Sequence, residues 1–263
     1  MKFSIIIINY KTPQLTSACL KSLFALPGAE NREIIVIDNA SEDGSTEKLG
    51  TEFGNRIQLI ANRRNLGFAG ANNQGAALAQ GEFLLFLNSD TIVNEDIFSV
   101  ISELFRQNYK LGIISPRLLL DNGEAQPVAW GRFPTLWRLI ARSNLKKPVI
   151  LAGTEILEVD WVSGCALAIR KKLFEELGGW DDHFFLYFED VDLCKRALGK
   201  GYKSVVALNT NITHLGGRSL ALSSERKKHY YQAQDYYFRK NFGKHIAFMV
   251  KALGWPMRVL NKF

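Results

Sequence analysis

FSIIIINYKTP, residues 3–13, is the stretch whose reading decides the fold. Residues 3–8 run apolar without the polar alternation of a half-exposed strand, and the chain turns polar at Asn9 and Tyr10. A short apolar run closed by a turn reads as a strand buried on both faces, the habit of parallel sheets. Residues 13–26 then place Leu15, Cys19, Leu20 and Leu23 at helical spacing. The alternation repeats: further strands are expected at 34–37, 57–61, 83–87 and 112–115. A short helix is expected after Ser45, and longer ones at 68–80 and 95–107. Right-handed crossovers make this a doubly wound α/β sheet flanked by helices. Ligands of such sheets bind beyond the carboxyl ends of the strands. Those places hold Asn9 and Tyr10, Asp38 and Asn39, residues 62–65, and Asn88-Ser89-Asp90, and every set is polar.

The second half loses the alternation. Residues 121–157 carry Pro127, Pro134, Pro148, Trp130, Phe133 and Trp137, with a basic helix-like piece at 136–147. A strand at 159–170, a helix at 171–177 closed by Gly178-Gly179, a helix at 185–198, a strand at 203–207 and a long helix at 222–241 follow. With no repeat and no low-complexity linker, residues 1–263 are expected to form one domain. Its parts are a nucleotide-sugar half (1–115), an acceptor and catalytic half (116–220) and a C-terminal helical extension (221–263).

At 263 residues, 47% hydrophobic and 22% charged, the chain can bury a sizeable core unaided. Cys19, Cys165 and Cys194 are odd in number and lack CxxC spacing, which argues against a disulfide framework or zinc site and fits a reducing cytosol. Residues 1–8 break into polar sequence too soon for a signal peptide, and no apolar run approaches the roughly 20 residues of a membrane span. The net charge of +7 favours anionic partners. No helix-turn-helix pattern or RNA-binding aromatic motif singles out nucleic acid. The tail 244–263 mixes Phe248, Met249, Leu253 and Trp255 with Lys244, Lys251 and Arg258. It suits either peripheral contact with the inner membrane face or packing on the protein's own body or a second subunit.

Chemistry concentrates in four places. Residues 9–13 lack the glycines that let backbone approach phosphate, which excludes a Walker loop and a dinucleotide fingerprint. A bound diphosphate then needs a metal held by carboxylates. Asp90, at the end of a buried strand, suits that role, although a turn or N-cap role before residue 95 is the plain alternative. Asp38 reads either as turn chemistry or as acceptor for the imide N–H of uracil or thymine. Glu189, Asp190 and Asp192 sit among Phe184, Phe185, Leu186, Tyr187 and Phe188. Repelling carboxylates against apolar walls have the raised pKa a general base needs, and a helix N-terminus is the structural alternative. Trp180, after Gly178-Gly179, reads as an aromatic wall. His214 precedes Gly216, Gly217 and Arg218, which suits a loop over a diphosphate with a metal-ligating histidine and a phosphate-binding arginine.

In order, these pieces resemble the inverting glycosyltransferases of family 2 with the GT-A fold, a Rossmann-like, mostly parallel sheet with a smaller acceptor-side subdomain. The resemblance covers about residues 3–219. It rests on IIVIDNASEDGS (34–45), NLGFAGANN (65–73), FLNSDT (86–91), WVSGCALAIR (161–170), GGWDDHFFLYFEDVDLCKR (178–196) and the segment 214–219. Within the family it is most similar to bacterial rhamnosyltransferases of polysaccharide assembly. It implies that Tyr10 and Asp38 hold the base, and that Asn65, Gly67, Asn88, Ser89 and Arg218 complete the nucleotide-sugar site. Asp90 and His214 would hold Mg²⁺ or Mn²⁺. Asp190 would be the catalytic base, with Glu189 and Asp192 supporting it or orienting a glycan or lipid-linked acceptor. Asn88-Ser89-Asp90 departs from the family's usual Asp-x-Asp, which implies a weaker metal site. dTDP-rhamnose is the leading donor, with UDP-sugars next. A nucleotidyltransferase would carry a glycine-rich loop after the first strand, and a non-catalytic binding module would have no need of Asp90, Asp190 and His214 together.

Overall fold

The apolar N-terminal run forms β1 (Phe3–Asn9), and the polar turn after it leads into α1 (Pro13–Ala25), which opens on a proline that needs no N–H partner. The structure is a computed structural model that describes residues 2–140, 149–150, 155–218 and 224–260; side chains at 149–150, 217–218 and 255–260 lie outside that description. Next come β2 (Arg32–Asp38), α2 (Ser45–Phe53), β3 (Gln58–Ala61), α3 (Gly67–Leu78), β4 (Phe83–Asn88), the short β5 (Thr91–Ile92), α4 (Ile97–Gln107) and β6 (Leu111–Leu119). The second half adds β7 (Trp130–Gly131), α5 (Leu136–Ile140), β8 (Val149–Ile150), β9 (Ile156–Val159), β10 (Trp161–Val162), β11 (Ala166–Arg170), α6 (Lys171–Glu176), α7 (Glu189–Gly199), β12 (Lys203–His214) and α8 (Ser224–Leu260). A 3₁₀ turn, Leu215–Arg218, follows β12.

One large sheet runs in the order β3-β2-β1-β4-β11-β6-β12-β9-β8, with β5 pairing the end of β12. β3, β2, β1 and β4 are mutually parallel, and β12 is parallel to β6. β11 lies antiparallel to both β4 and β6. The fifth apolar strand therefore does not sit beside the fourth, as the linear alternation suggests. The segment expected as one strand over 159–170 breaks at Ser163-Gly164-Cys165 into β10 and β11, and β11 takes the central place.

Strand residues alternate between two apolar layers. Ile5, Ile7, Ile34, Val36, Leu85 and Leu87 pack beneath α1, α2 and α4. Ile6, Ile35, Ile37, Leu84 and Phe86 pack beneath α3, α6, α7 and α8. Burial on both faces is what makes β1 read as an unbroken apolar run. α3 lies close on β1 because it is built of small residues; a Cβ at Gly75 would stand 2.6 Å from Ile6 Cγ2. Trp180 is 2% exposed and packs edge-on against Phe86 and Phe68, so it belongs to the core and is not a wall of the site.

Two elements begin or end elsewhere than the sequence suggests. α7 starts at Glu189 and not at 185, because Tyr187 and Phe188 hold positive φ (73° and 65°) just before it. β12 runs on past residue 207 through an irregularity between Ala207 and Asn211 and reaches His214. α8 extends to Leu260 across a break at Gly243. The helix-like piece expected at 136–147 is helical over Leu136–Ile140, and residues 141–148 lie outside the described residues.

Candidate active site

The carboxyl ends of β1, β2 and β4 open on a cleft of about 510 Å³ lined by Tyr10, Asn65, Gly67, Asn88, Ser89 and Asp90 among others. Each is anchored locally. Asn65 Oδ1 accepts the Gly67 N–H and the Asn39 side-chain N–H, both at 2.8 Å, which ties the loop after β3 to the end of β2. Gly67 has φ 73°, and a Cβ there would stand 2.5 Å from the Phe185 carbonyl oxygen. Only glycine meets both demands. Ser89 Oγ lies 3.2 Å from Thr12 Oγ1, and Tyr10 projects into solvent at 44% exposure on the rim.

Asp38 sits beside the cleft and not in its lining. Its carboxylate accepts Asn9 Nδ2 at 2.6 Å, Ser41 Oγ at 2.5 Å and the Ser41 N–H at 3.2 Å, and the residue is buried. Turn chemistry accounts for these bonds. Asp38 also borders a second hollow of about 410 Å³ between the ends of β2 and β3 and the start of α2.

Asp90 and His214 meet. β5 pairs with the end of β12 so that His214 stands opposite Thr91, and the Leu215 N–H donates to the Asp90 carbonyl at 2.8 Å. His214 Nε2 then lies 3.1 Å from Asp90 Oδ1, while Nδ1 lies 2.7 Å from Gln126 Oε1. A carbonyl oxygen can only accept, so Gln126 fixes the Nδ1–H tautomer when the ring is neutral and turns Nε2 toward Asp90. Burial opposes charge on the imidazole, yet the hydrogen bonds to Asp90 and Cys165 outweigh it and push the His214 pKa up to about 10. A Cβ at Gly216 would collide with Asp90 Oδ2, so the turn closes over the carboxylate through a glycine. Asp90 caps no helix, since the N-cap of α4 is Asp96.

A second cavity of about 480 Å³ adjoins the cleft, with Phe68, Asn88 and Leu186 lining both. Its walls include Val128, Pro134, Trp161, Tyr187 and Tyr230, and Glu189 and Asp190 open into it from the first turn of α7. Asp190 Oδ2 accepts the Gly164 N–H at 3.0 Å and Oδ1 accepts the Val191 N–H at 2.8 Å. Glu189 is 5% exposed, and its Oε2 has no hydrogen-bond partner. Burial raises the pKa of both carboxyls; the Asp190 charge adds to the rise at Glu189, while the two backbone N–H groups restrain it at Asp190. Of the pair, Glu189 is the one that keeps its proton to higher pH.

Asp192 is not part of this group. Two residues along a helix point nearly opposite ways, and Asp192, 1% exposed, turns inward to Arg196 Nε at 2.7 Å and to Lys240 Nζ at 2.6 Å, the latter a charge contact without hydrogen-bond alignment. Lys240 also donates to Asp181 Oδ2 at 2.7 Å. Arg218 ends the turn after β12, and its side chain lies outside the described residues. Sequence reasoning missed Gln126, and it missed α8 as a wall: Arg226 and His229 line the cleft that ends at Asp90, and Tyr230 the second cavity. His229 stacks on Phe185 (centroids 4.6 Å apart) and Tyr230 packs on Tyr187 and Phe188, which brings that helix over the cleft, and no local motif announces such contacts.

Residues 4–178 match the family described as Glycosyl transferase family 2. A hexosyltransferase of low-salt glycan biosynthesis from Haloferax volcanii is 33% identical over 203 residues, 74% of this chain and 61% of the relative. The chain thus spans about three-fifths of that relative's length. An N-acetylglucosaminyl-diphospho-decaprenol L-rhamnosyltransferase from Mycobacterium tuberculosis is 22% identical over 254 residues, 86% of this chain and 79% of the relative. Among solved structures, a mannosyltransferase from Pyrobaculum calidifontis in complex with GDP-Man and Mn²⁺ superposes with a TM-score of 0.64 at 16% identity, covering 90% of this chain and 64% of its own. That likeness carries the GT-A fold. With the match extending over two-thirds of its length, from β1 through α6, this chain belongs to glycosyl transferase family 2.

Proposed function

We propose that this chain transfers a sugar from a nucleotide-diphosphate donor to a hydroxyl of a glycan or lipid-linked acceptor in cell-surface polysaccharide synthesis, with inversion at the anomeric carbon. The observation that carries the proposal is the pair of adjoining cavities: one ends at Asp90, which His214 backs, the other at Asp190, and Asn88 forms part of the wall between them. Residues 1–263 act as one catalytic unit, with 1–115 binding donor, 116–220 binding acceptor and 221–263 a C-terminal helical extension whose Arg226, His229 and Tyr230 reach the two cavities.

Asp90 and His214 are suited to hold Mg²⁺ or Mn²⁺. A carboxylate and an imidazole nitrogen converge, and the imidazole is set by Gln126 with Nε2 turned toward Asp90. A metal held by Asp90 and His214 would supply positive charge to offset that of the diphosphate leaving group. The two-residue donor set and the Asn88 amide, which donates to Cys165 Sγ at 3.3 Å, support a weak site completed by donor oxygens. Tyr10 on the rim and Asp38 beside the cleft serve the base, Asn65, Gly67 and Ser89 shape the floor, Arg226 lines the cleft on the phosphate side, and Arg218 has the role of a phosphate contact. Asp190 takes the acceptor proton as the hydroxyl oxygen attacks from the face opposite the nucleotide. Glu189, holding its own proton longer, lines the same cavity beside Asp190 and supports the base. One displacement needs one base and no covalent intermediate.

dTDP-rhamnose is the leading donor, supported by the relative named as an L-rhamnosyltransferase and by Asn88-Ser89-Asp90; UDP-sugars come next. The reaction belongs on the inner face of the cell membrane, where nucleotide sugars are available. Transfer is tested by proton NMR of the product formed from dTDP-rhamnose or a UDP-sugar and a lipid-linked glycan. The expected product has the anomeric configuration opposite to the donor's; a product that keeps the donor's configuration contradicts the single displacement.

A further inference from the structure

α8 carries a face that the sugar-transfer site does not use. At Gly243 (φ 85°) the helix breaks, and a groove of about 330 Å³ lies across the break. Asp235 and Arg239 line it from the first arm, and Lys244, Phe248 and Lys251 from the second. Along the second arm Phe248, Met249 and Leu253 are 73%, 46% and 56% exposed, while Val250, on the opposite side, is 2% exposed. At helical spacing Phe248, Ala252 and Met249 share an arc of roughly 100°, with the exposed His245 among them in the first turn after the break, Leu253 at one edge and Lys244 and Lys251 along the other. An apolar stripe edged by lysines on one side is the pattern of a helix lying in a membrane interface, where lysine stems run along apolar surface and the ammonium groups stay at headgroup level.

We propose that this arm of α8 docks on an anionic phospholipid surface, with headgroup phosphates in the groove of Arg239, Lys244 and Lys251 and with Phe248, Met249 and Leu253 in the acyl boundary. The charge balance selects the occupant: three cations and one carboxylate line the groove, in a chain of net charge +7. A second copy of the chain fits poorly, because a two-fold contact through this face would set the same cations against each other. Among the described residues no helix is long and apolar enough to cross a membrane, so the contact is with the surface. α5 packs on α8 and leaves Trp137 78% exposed, an aromatic suited to the headgroup layer. The proposal does not depend on the sugar-transfer reading.

The test is co-sedimentation of the full chain with phosphatidylcholine vesicles with and without phosphatidylglycerol, alongside nucleoside-diphosphate binding by the same variants. The expected result is binding only to the phosphatidylglycerol vesicles, weakened by salt. Lys244→Gln with Lys251→Gln is expected to weaken it about 25-fold, since each cation near an anionic leaflet is worth about a factor of five. Phe248→Ser, Met249→Ser and Leu253→Ser together are expected to abolish it, with the thermal melt and nucleotide binding of the wild type retained. Equal binding to both vesicle types, no binding to either, or unchanged binding by both variants overturns the proposal. So does a wild-type dimer in light scattering that the apolar variant makes monomeric. Loss of nucleotide binding in every protein would count against the transfer reading and leave the vesicle result standing.

Discussion

Asp190→Asn is expected to lose transfer by a factor of about 10² to 10⁴ while binding the nucleotide donor as the wild type does. The substitution keeps the shape of the side chain and removes the one group in the acceptor cavity with a basic oxygen held by two backbone N–H groups, those of Gly164 and Val191. The donor-side residues are anchored to β1, β2, β4 and β12, and none of the hydrogen bonds described for them passes through Asp190. The pH profile of the wild type carries the same information. Burial raises the Asp190 pKa, so the base is ionised only above a pH higher than an ordinary aspartate requires, and kcat/KM falls as pH drops through that raised value. Glu189 keeps its proton while Asp190 ionises, so Glu189→Gln removes no charge beside Asp190 and is expected to leave that acid limb in place, with a smaller loss of rate than Asp190→Asn. A limb that persists unchanged in the residual activity of Asp190→Asn would assign the titration to another group.

Asp192→Ala, two residues away, is expected to act on stability and not on the base. Its carboxylate is 1% exposed and faces Arg196 and Lys240, so the truncation leaves two cations of α7 and α8 without their shared partner. Breaking a buried pair this way costs about 3 kcal/mol, the lower part of the usual range because both cations are partly exposed. In a chain of this size that lowers the melting temperature by roughly 6–12 °C. Asp181 belongs to the same hub. Burial opposes its ionisation, but hydrogen bonds from Lys240, His183 and Tyr236 outweigh that and hold its pKa well below the usual carboxylate range. A depressed carboxyl stabilises the fold fully above its unfolded pKa and loses the contribution as pH falls through the folded value. Acid destabilisation below about pH 4 is expected, and Lys240→Met should shrink it. Thermal melts of Asp190→Asn and Asp192→Ala at neutral pH separate the two carboxylates: the first melts like the wild type and the second does not.

The contrast between Asp190 and Asp192 was partly legible in the sequence. Both were marked by the acidic cluster, and helical geometry alone sets residues two apart on opposite sides. What hid the distinction was the start of α7, because an aromatic pair at positive φ leaves no signature in residue type. β1, β2 and β4 were readable because burial on both faces leaves continuous apolar runs, while β3, at the sheet edge and partly exposed, was readable from its place in the alternation. The place of β11 was not, since strand order is decided by long-range pairing and the Ser163-Gly164-Cys165 turn lies inside a segment that reads as one strand. The Asp90–His214 contact depends on residues 208–214 continuing β12 past an irregularity, where Asn209 and Asn211 make the sequence look like a loop. Gln126, Arg226 and His229 were invisible for a related reason: each reaches the site across a distance in sequence that no motif spans.

The measurement closest to the central claim is a calorimetric titration of dTDP-, UDP- and GDP-sugars into the wild type and Asp90→Ala, each with and without Mn²⁺. One nucleotide class is expected to bind the wild type, more tightly with Mn²⁺, and Asp90→Ala is expected to lose that enhancement. Absence of binding by every nucleotide sugar under both conditions, or an enhancement that survives in Asp90→Ala, contradicts a donor site built on Asp90 and His214.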